Sequence, residues 1–197
     1  MSISRCSGLP ATALILELVA CGRPISPVTT SPGATPATRV LPAERYYVLE
    51  MTGVPPEDTV VTFSTRSART IVLRHGPPDN TVFAELTYPE GAFGGSAAPD
   101  SVTVTVHPRP GVYGVDITSP VPPGPGALLR FKYPIHFAAP VAALAQYGSS
   151  ARLEQALSIG LRREDGSCAL LPSDRPAYDN LEAPLGATGT YLVVAPK

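Results

Sequence analysis

Apolar and polar residues alternate along most of this chain in short runs, and proline or glycine interrupts nearly every one. Ser101-Val102-Thr103-Val104-Thr105-Val106 puts valines on one side and hydroxyls on the other. Thr81-Val82-Phe83-Ala84-Glu85-Leu86-Thr87 alternates in the same way. A period of two with one polar side predicts strands of a sheet that is wet on one face. The same reading predicts strands at Tyr46–Met51, Thr59–Phe63, Thr70–Leu73, Gly111–Ile117 and Ala127–Tyr133. It predicts three more at Ala156–Arg163, Cys168–Leu171 and Thr190–Ala195. The breaks between runs are Gly53-Val54-Pro55-Pro56 and His75-Gly76-Pro77-Pro78, with Arg163-Glu164-Asp165-Gly166-Ser167 as a hairpin signal.

Helical spacing appears only within Pro140–Leu157. Val141–Ala145 suits two turns stopped at Gly148, and Ser150 is the expected cap of a short second segment over Ala151–Glu154. About ten short strands and almost no helix predict an all-β fold, an antiparallel β-sandwich of immunoglobulin-like outline. Its expected core is Val82, Leu86, Val102, Val104, Val106, Leu129, Phe131, Ile159, Leu161, Tyr191 and Val193.

The N-terminal region follows a different pattern. Arg5 supplies a basic start, and an apolar run from Leu9 ends in Leu18-Val19-Ala20-Cys21. The run is too short for the roughly 20 residues that span a bilayer, and it fits a signal segment. Small residues before a cysteine in this setting resemble the lipobox of bacterial lipoproteins. The resemblance implies a signal peptide over residues 1–20, cleavage between Ala20 and Cys21, and a lipid anchor on Cys21 carrying diacylglyceryl and palmitate-like acyl chains. Two or more chains hold a protein on a membrane durably, where one does not. The same run, with Glu17 inside it, also reads as an uncleaved interfacial helix. Gly22 stands where an aspartate would resemble an inner-membrane retention signal, which leans the expectation towards the outer membrane.

Residues 21–44 then read as the lipidated cysteine and a tether. Pro24, Pro27, Pro32, Pro36 and Pro42 alternate with Ser, Thr, Ala and Gly, and no apolar period appears. Such a segment buries too little surface to offset its ordering entropy. Fully extended it reaches on the order of 60 to 70 Å at about 3.1 Å per residue. The folded domain is expected over residues 45–197.

Within that domain, Ala84-Glu85-Leu86-Thr87-Tyr88-Pro89-Glu90-Gly91-Ala92-Phe93 and the valine strand after it resemble the opening of ZU5-type β-sandwiches. Gly126–Phe131 with Pro134 resembles that family's middle strand. Leu161–Gly166, Leu170-Leu171-Pro172 and Gly189–Val194 are similar to its C-terminal half. The resemblance covers about residues 81–197 and implies an interaction domain. Some members cleave themselves at a His-Phe-Ser motif before the last strand. The matching stretch here, Gly186–Thr190, has neither histidine nor serine, so no self-cleavage is expected.

Composition narrows the function classes. A formal net charge of -1 and a pI near 6.3 argue against nucleic acid as a partner. Among three cysteines, Cys6 and Cys21 fall in the leader and at the anchor, which leaves Cys168 without a disulfide partner and reads it as a small buried hydrophobe. His75, His107 and His136 match no zinc spacing and are expected as isolated surface or edge residues. Asp79-Asn80, Asp174 and Asp179-Asn180 read as turn formers. There is no Gly-x-Ser-x-Gly elbow and no phosphate-binding glycine loop after a strand, so no catalytic residue, metal or cofactor is assigned. Tyr46, Tyr47, Tyr113 and Tyr178 are candidates for an exposed binding surface, with one of the adjacent pair Tyr46 and Tyr47 in the core. The expected role is a non-catalytic, lipid-anchored subunit of the cell envelope or periplasm that docks on a membrane protein or complex. The alternative is a carbohydrate- or peptidoglycan-binding module.

Overall fold

The computed structural model describes residues 38–133 and 136–197. In chain order the strands are β1 (Val40–Leu41), β2 (Tyr46–Val48), β3 (Glu50–Met51), β4 (Thr59–Ser64), β5 (Arg69–Arg74), β6 (Val82–Tyr88) and β7 (Ser101–Pro108). They continue as β8 (Gly114–Thr118), β9 (Leu128–Lys132), β10 (Phe137–Ala138), β11 (Ser158–Arg162), β12 (Cys168–Leu170), β13 (Asn180–Pro184) and β14 (Gly189–Pro196). Two short helices, α1 (Val141–Tyr147) and α2 (Ser150–Ala156), precede β11.

The strands form an antiparallel sandwich. The larger sheet runs β1-β12-β11-β14-β8-β7-β4, with β2 also on β14. The smaller runs β13-β9-β6-β5, and β3 pairs with β10. The apolar sides of the two sheets meet in one core: Leu73, Leu86, Leu129 and Phe131 from the smaller, Val104, Val106, Ile117, Tyr191 and Val193 from the larger. Of the expected core, Val82 and Leu161 are only half-buried. Val82 lies at the mouth of a pocket described below.

Strand β14 holds the larger sheet together. Its first half pairs with β8, from Gly189 opposite Ile117 to Leu192 opposite Gly114. Its second half pairs on the same side with β2, Val194 opposite Val48. Leu49 stands at the changeover: its N–H donates to Val193 O, and its own carbonyl accepts from Tyr113 N. The whole run Tyr191–Ala195 is buried. Tyr191 and Val193 face the main core, while Leu192 and Val194 join Leu41, Tyr46 and Cys168 in a second cluster. That part of the sheet is therefore dry on both sides, a departure from the one-sided wetting expected from alternation.

The second cluster corrects the domain boundary. Val40 and Leu41 pair with Ala169 and Cys168, so the fold begins before Arg45 and takes in residues assigned to the tether. Burial of Leu41 supplies the reason. Strand β13 is a further element that alternation did not predict, since its sequence, Asn-Leu-Glu-Ala-Pro, ends in proline. The helices sit close to where they were expected, with Gly148 left-handed at the end of α1. The cap of α2 is Ser149, not Ser150: its hydroxyl accepts from Arg152 N. No helix among the described residues is long and apolar enough to cross a membrane.

Gly160 lies on β11 against the second cluster, where a Cβ would run into Cys168 Sγ. Gly160→Ala should therefore destabilise the fold by about 1–3 kcal/mol through overpacking. Adding Cys168→Ala should restore much of that loss in a denaturant titration, because the sulfur is what the methyl meets. Strictly additive losses in the double variant would show that the close approach of β11 and β12 is wrong.

Candidate functional site

Histidine, carboxylate and phenol side chains converge at the end of the smaller sheet at which β5 leaves and β6 enters. Residues 75–81 join the two strands, and His75 N donates to Thr81 O at 2.9 Å. The register breaks there, for Leu73 faces Ala84 while Arg74 faces Val82. Phe83 is thus an extra residue, a bulge, and bulges re-aim side chains. Its ring is fully buried and packs edge-on against His75 (5.4 Å between centroids) and stacked on Tyr113 (5.2 Å).

His75 is only 2% exposed. Its Nδ1 lies 3.2 Å from Val54 O, a carbonyl that also accepts from Gly76 N. A carbonyl can only accept, so this contact assigns the hydrogen to Nδ1 and leaves Nε2 as a bare acceptor in the neutral ring. Burial lowers the pKa of His75, and neighbouring His136 lowers it further against the opposing pull of the Val54 carbonyl.

The His136 ring lies over His75 with centroids 4.3 Å apart. Its main chain is fixed from the other side, where Thr52 N and Thr52 Oγ1 both donate to His136 O. Its Nε2 pairs with Asp79 Oδ2, which also accepts from Thr81 Oγ1 at 2.9 Å. The hydrogen bond from His136, followed by that from Thr81, holds the Asp79 carboxyl below its usual range. Gly53 sits beneath this arrangement at φ +83°, and a Cβ there would come within 3.0 Å of His136 Nδ1. Glycine suits that position twice, by backbone conformation and by space.

Together these residues border a pocket of about 180 Å³ lined by His75, Thr81, Val82, Tyr113, Lys132, His136 and Asp179. The Tyr113 hydroxyl is buried and its hydrogen finds no acceptor among the described residues; burial pushes its pKa well up, against a downward pull from the backbone of His136. Chemically the site offers one bare imidazole nitrogen, one histidine–carboxylate pair and one phenol. No serine or cysteine lines it. Among the described residues no group of three or more His, Cys, Asp or Glu side chains is placed to hold a metal ion.

Several sequence expectations change here. His75 is not an isolated surface residue, and it pairs in space with His136; only His107 is exposed, beside Asp58. Asp79 does more than form a turn. Nothing in the spacing signalled this, since 57 positions separate His136 from Asp79. The proposed tyrosine surface is also corrected. Tyr113 is fully buried beneath the pocket, and Tyr46 is buried with its hydroxyl on Gly166 O. Tyr47 is half-buried and braces α1 through Gln146 Oε1 and Ala142 O, with Lys197 over its ring. Tyr178 alone is fully exposed. Cys168 is buried and its thiol is pushed up to about 11, which suits a packing residue and not a nucleophile. Ala20 and Cys21 lie outside the described residues.

The lowered pKa of His75 gives a pH signature. The unfolded chain takes up a proton at about pH 6.5, whereas the folded chain resists it until lower pH. The stabilisation is therefore complete above about pH 6.5 and is lost as pH falls through the folded value. Denaturant titrations should show the stability gap between wild type and His75→Gln shrinking from pH 7 to pH 5. A constant gap would contradict the buried neutral imidazole. Compared with protein-family models, curated proteins and solved structures, the chain matches none.

Proposed function

We propose that this protein is a non-catalytic accessory subunit, held on a bacterial envelope membrane through lipid on Cys21, whose β-sandwich docks on a membrane protein by pairing along β4. The supporting observation is the unequal treatment of the sheet edges. Exposed edges usually carry a device against unwanted pairing, such as charge, brevity or a covering segment. Strand β1 has only two residues. Strand β13 is covered by Asp174, which exchanges backbone hydrogen bonds with Glu182. Strand β5 carries charge within the strand itself, with exposed Arg69 and Arg74 as its first and last residues.

Strand β4 has none of these devices. Its six residues, Thr-Val-Val-Thr-Phe-Ser, contain no charge, proline or glycine, and Val60 is 64% exposed. It has no second neighbour among the described residues. An extended segment of a partner added here would gain main-chain hydrogen bonds and cover Val60. The lipobox-like Leu18–Cys21 and the proline-rich stretch after it support placing this edge near a membrane partner, where anchoring raises local concentration. The ZU5-like pattern over residues 81–197 points the same way, since modules of that kind serve interaction. A glycan surface of stacked tyrosines has less support, because two of the four candidates are buried.

Val60→Lys adds an edge charge at a position that costs the fold little, and Tyr178→Lys is a matched exposed control. Cross-linking in intact cells followed by mild detergent extraction should recover one partner in fixed stoichiometry with wild type and Tyr178→Lys. Val60→Lys should lose that partner while keeping its membrane fraction and melting temperature. A chain recovered alone would overturn the docking function. A partner kept by Val60→Lys would overturn the assignment to β4.

A further inference from the structure

The pocket beside His75 is not used by the docking edge, and its chemistry points to a different ligand. We infer that it binds a small uncharged ring bearing a hydroxyl group, which donates to His75 Nε2 and accepts from the Tyr113 hydroxyl.

Three observations carry this. First, Tyr113 lines the pocket, and its buried hydroxyl, beside the His136 backbone, has no acceptor for its hydrogen among the described residues. Buried hydroxyls are nearly always satisfied, so an orphan beside a cavity marks a donor awaiting an acceptor. Second, the Val54 carbonyl fixes the His75 tautomer and leaves Nε2 as an acceptor awaiting a donor. A hydroxyl, like water, donates and accepts through one atom. A carboxylate has no hydrogen for Nε2 and would enter beside Asp79 and Asp179; an ammonium has no lone pair for the phenol.

Third, the size and walls restrict the body of the ligand. The pocket, of about 180 Å³, has room for a single six-membered ring. Val82 and Tyr113 supply apolar lining for that ring, and Lys132 and Asp179 line the same pocket. Lys132 already has a carboxylate partner, its Nζ lying 3.9 Å from Glu85 Oε1.

Phenol and cyclohexanol are suitable probes, with benzoate and benzylammonium as charged counterparts. The full-length chain in detergent, labelled with nitrogen-15 in histidine, would be titrated while the His75 imidazole nitrogens are followed by NMR. Phenol or cyclohexanol should shift the His75 Nε2 resonance saturably, with a dissociation constant on the order of a millimolar for so few atoms. The charged rings should bind at least ~10-fold more weakly. Tyr113→Phe keeps the ring and deletes the donor, so it should weaken phenol roughly 5- to 10-fold, the size of one hydrogen bond. The same variant should leave the melting temperature unchanged or raised, because an orphaned polar atom has gone, and this separates a binding role from a structural one. No saturable shift with either alcohol, equal binding of benzoate, or unaltered affinity in Tyr113→Phe would each overturn the inference. Its failure would leave the docking edge on β4 untouched, since the two sites share no residue.

Discussion

Double-sided burial of the last strand is the constraint on which this fold depends. Tyr191–Ala195 cannot be wetted on either side, so elements must cover both. The smaller sheet covers one face, and the chain entering from Val40 covers the other with Leu41 and Tyr46. Each fully buried aliphatic side chain contributes roughly 1.5–3 kcal/mol, so one strand buried twice outweighs any of the surface ion pairs. Exposed pairs such as Arg66 with Asp100 contribute about 0–1 kcal/mol. This explains why the N-terminal and C-terminal ends of the described fold lie together: Lys197 N donates to Arg45 O, and Pro196 pairs with Tyr46.

A second consequence reaches the pocket. Leu49, clamped between Val193 and Tyr113 by backbone hydrogen bonds, fixes where the chain leaves the larger sheet. Three residues further on, Thr52 anchors His136, and Val54 then sets the tautomer of His75. The bulge at Phe83 supplies the aromatic floor from the other direction. The polar end of the domain is thus aimed by segments whose positions the buried strand determines, and packing and chemistry are linked through one short stretch of chain.

The all-β class and most strands were legible because alternation has a period of two and proline or glycine marks the breaks. Ser101–Pro108 shows this plainly. The dry outer face was not legible from alternation: in Tyr191–Ala195 every residue is apolar or small, and a continuous run does not say which two surfaces it meets. Strand β13 escaped because it offers only two apolar positions before Pro184 ends it; it exists because it pairs with β9 and buries Leu181 and Ala183. The pocket was the least legible feature. His75, Asp79, Tyr113 and His136 come from separate loops and strands, and no local spacing encodes a meeting that the bulge and the Thr52 contact bring about. Tyr46 and Tyr113 misled for a related reason, since a tyrosine in a strand carries no mark of the face it will occupy.

The central claim is that this sandwich acts at a membrane through a lipid on the twenty-first residue. The most direct measurement is the intact mass of the protein extracted from cells. The account predicts a membrane-bound species that begins at Cys21 and carries a diacylglyceryl group plus an N-acyl chain, with Cys21→Ala accumulating uncut. An unmodified chain beginning at Met1 in the soluble fraction of wild-type cells would contradict it.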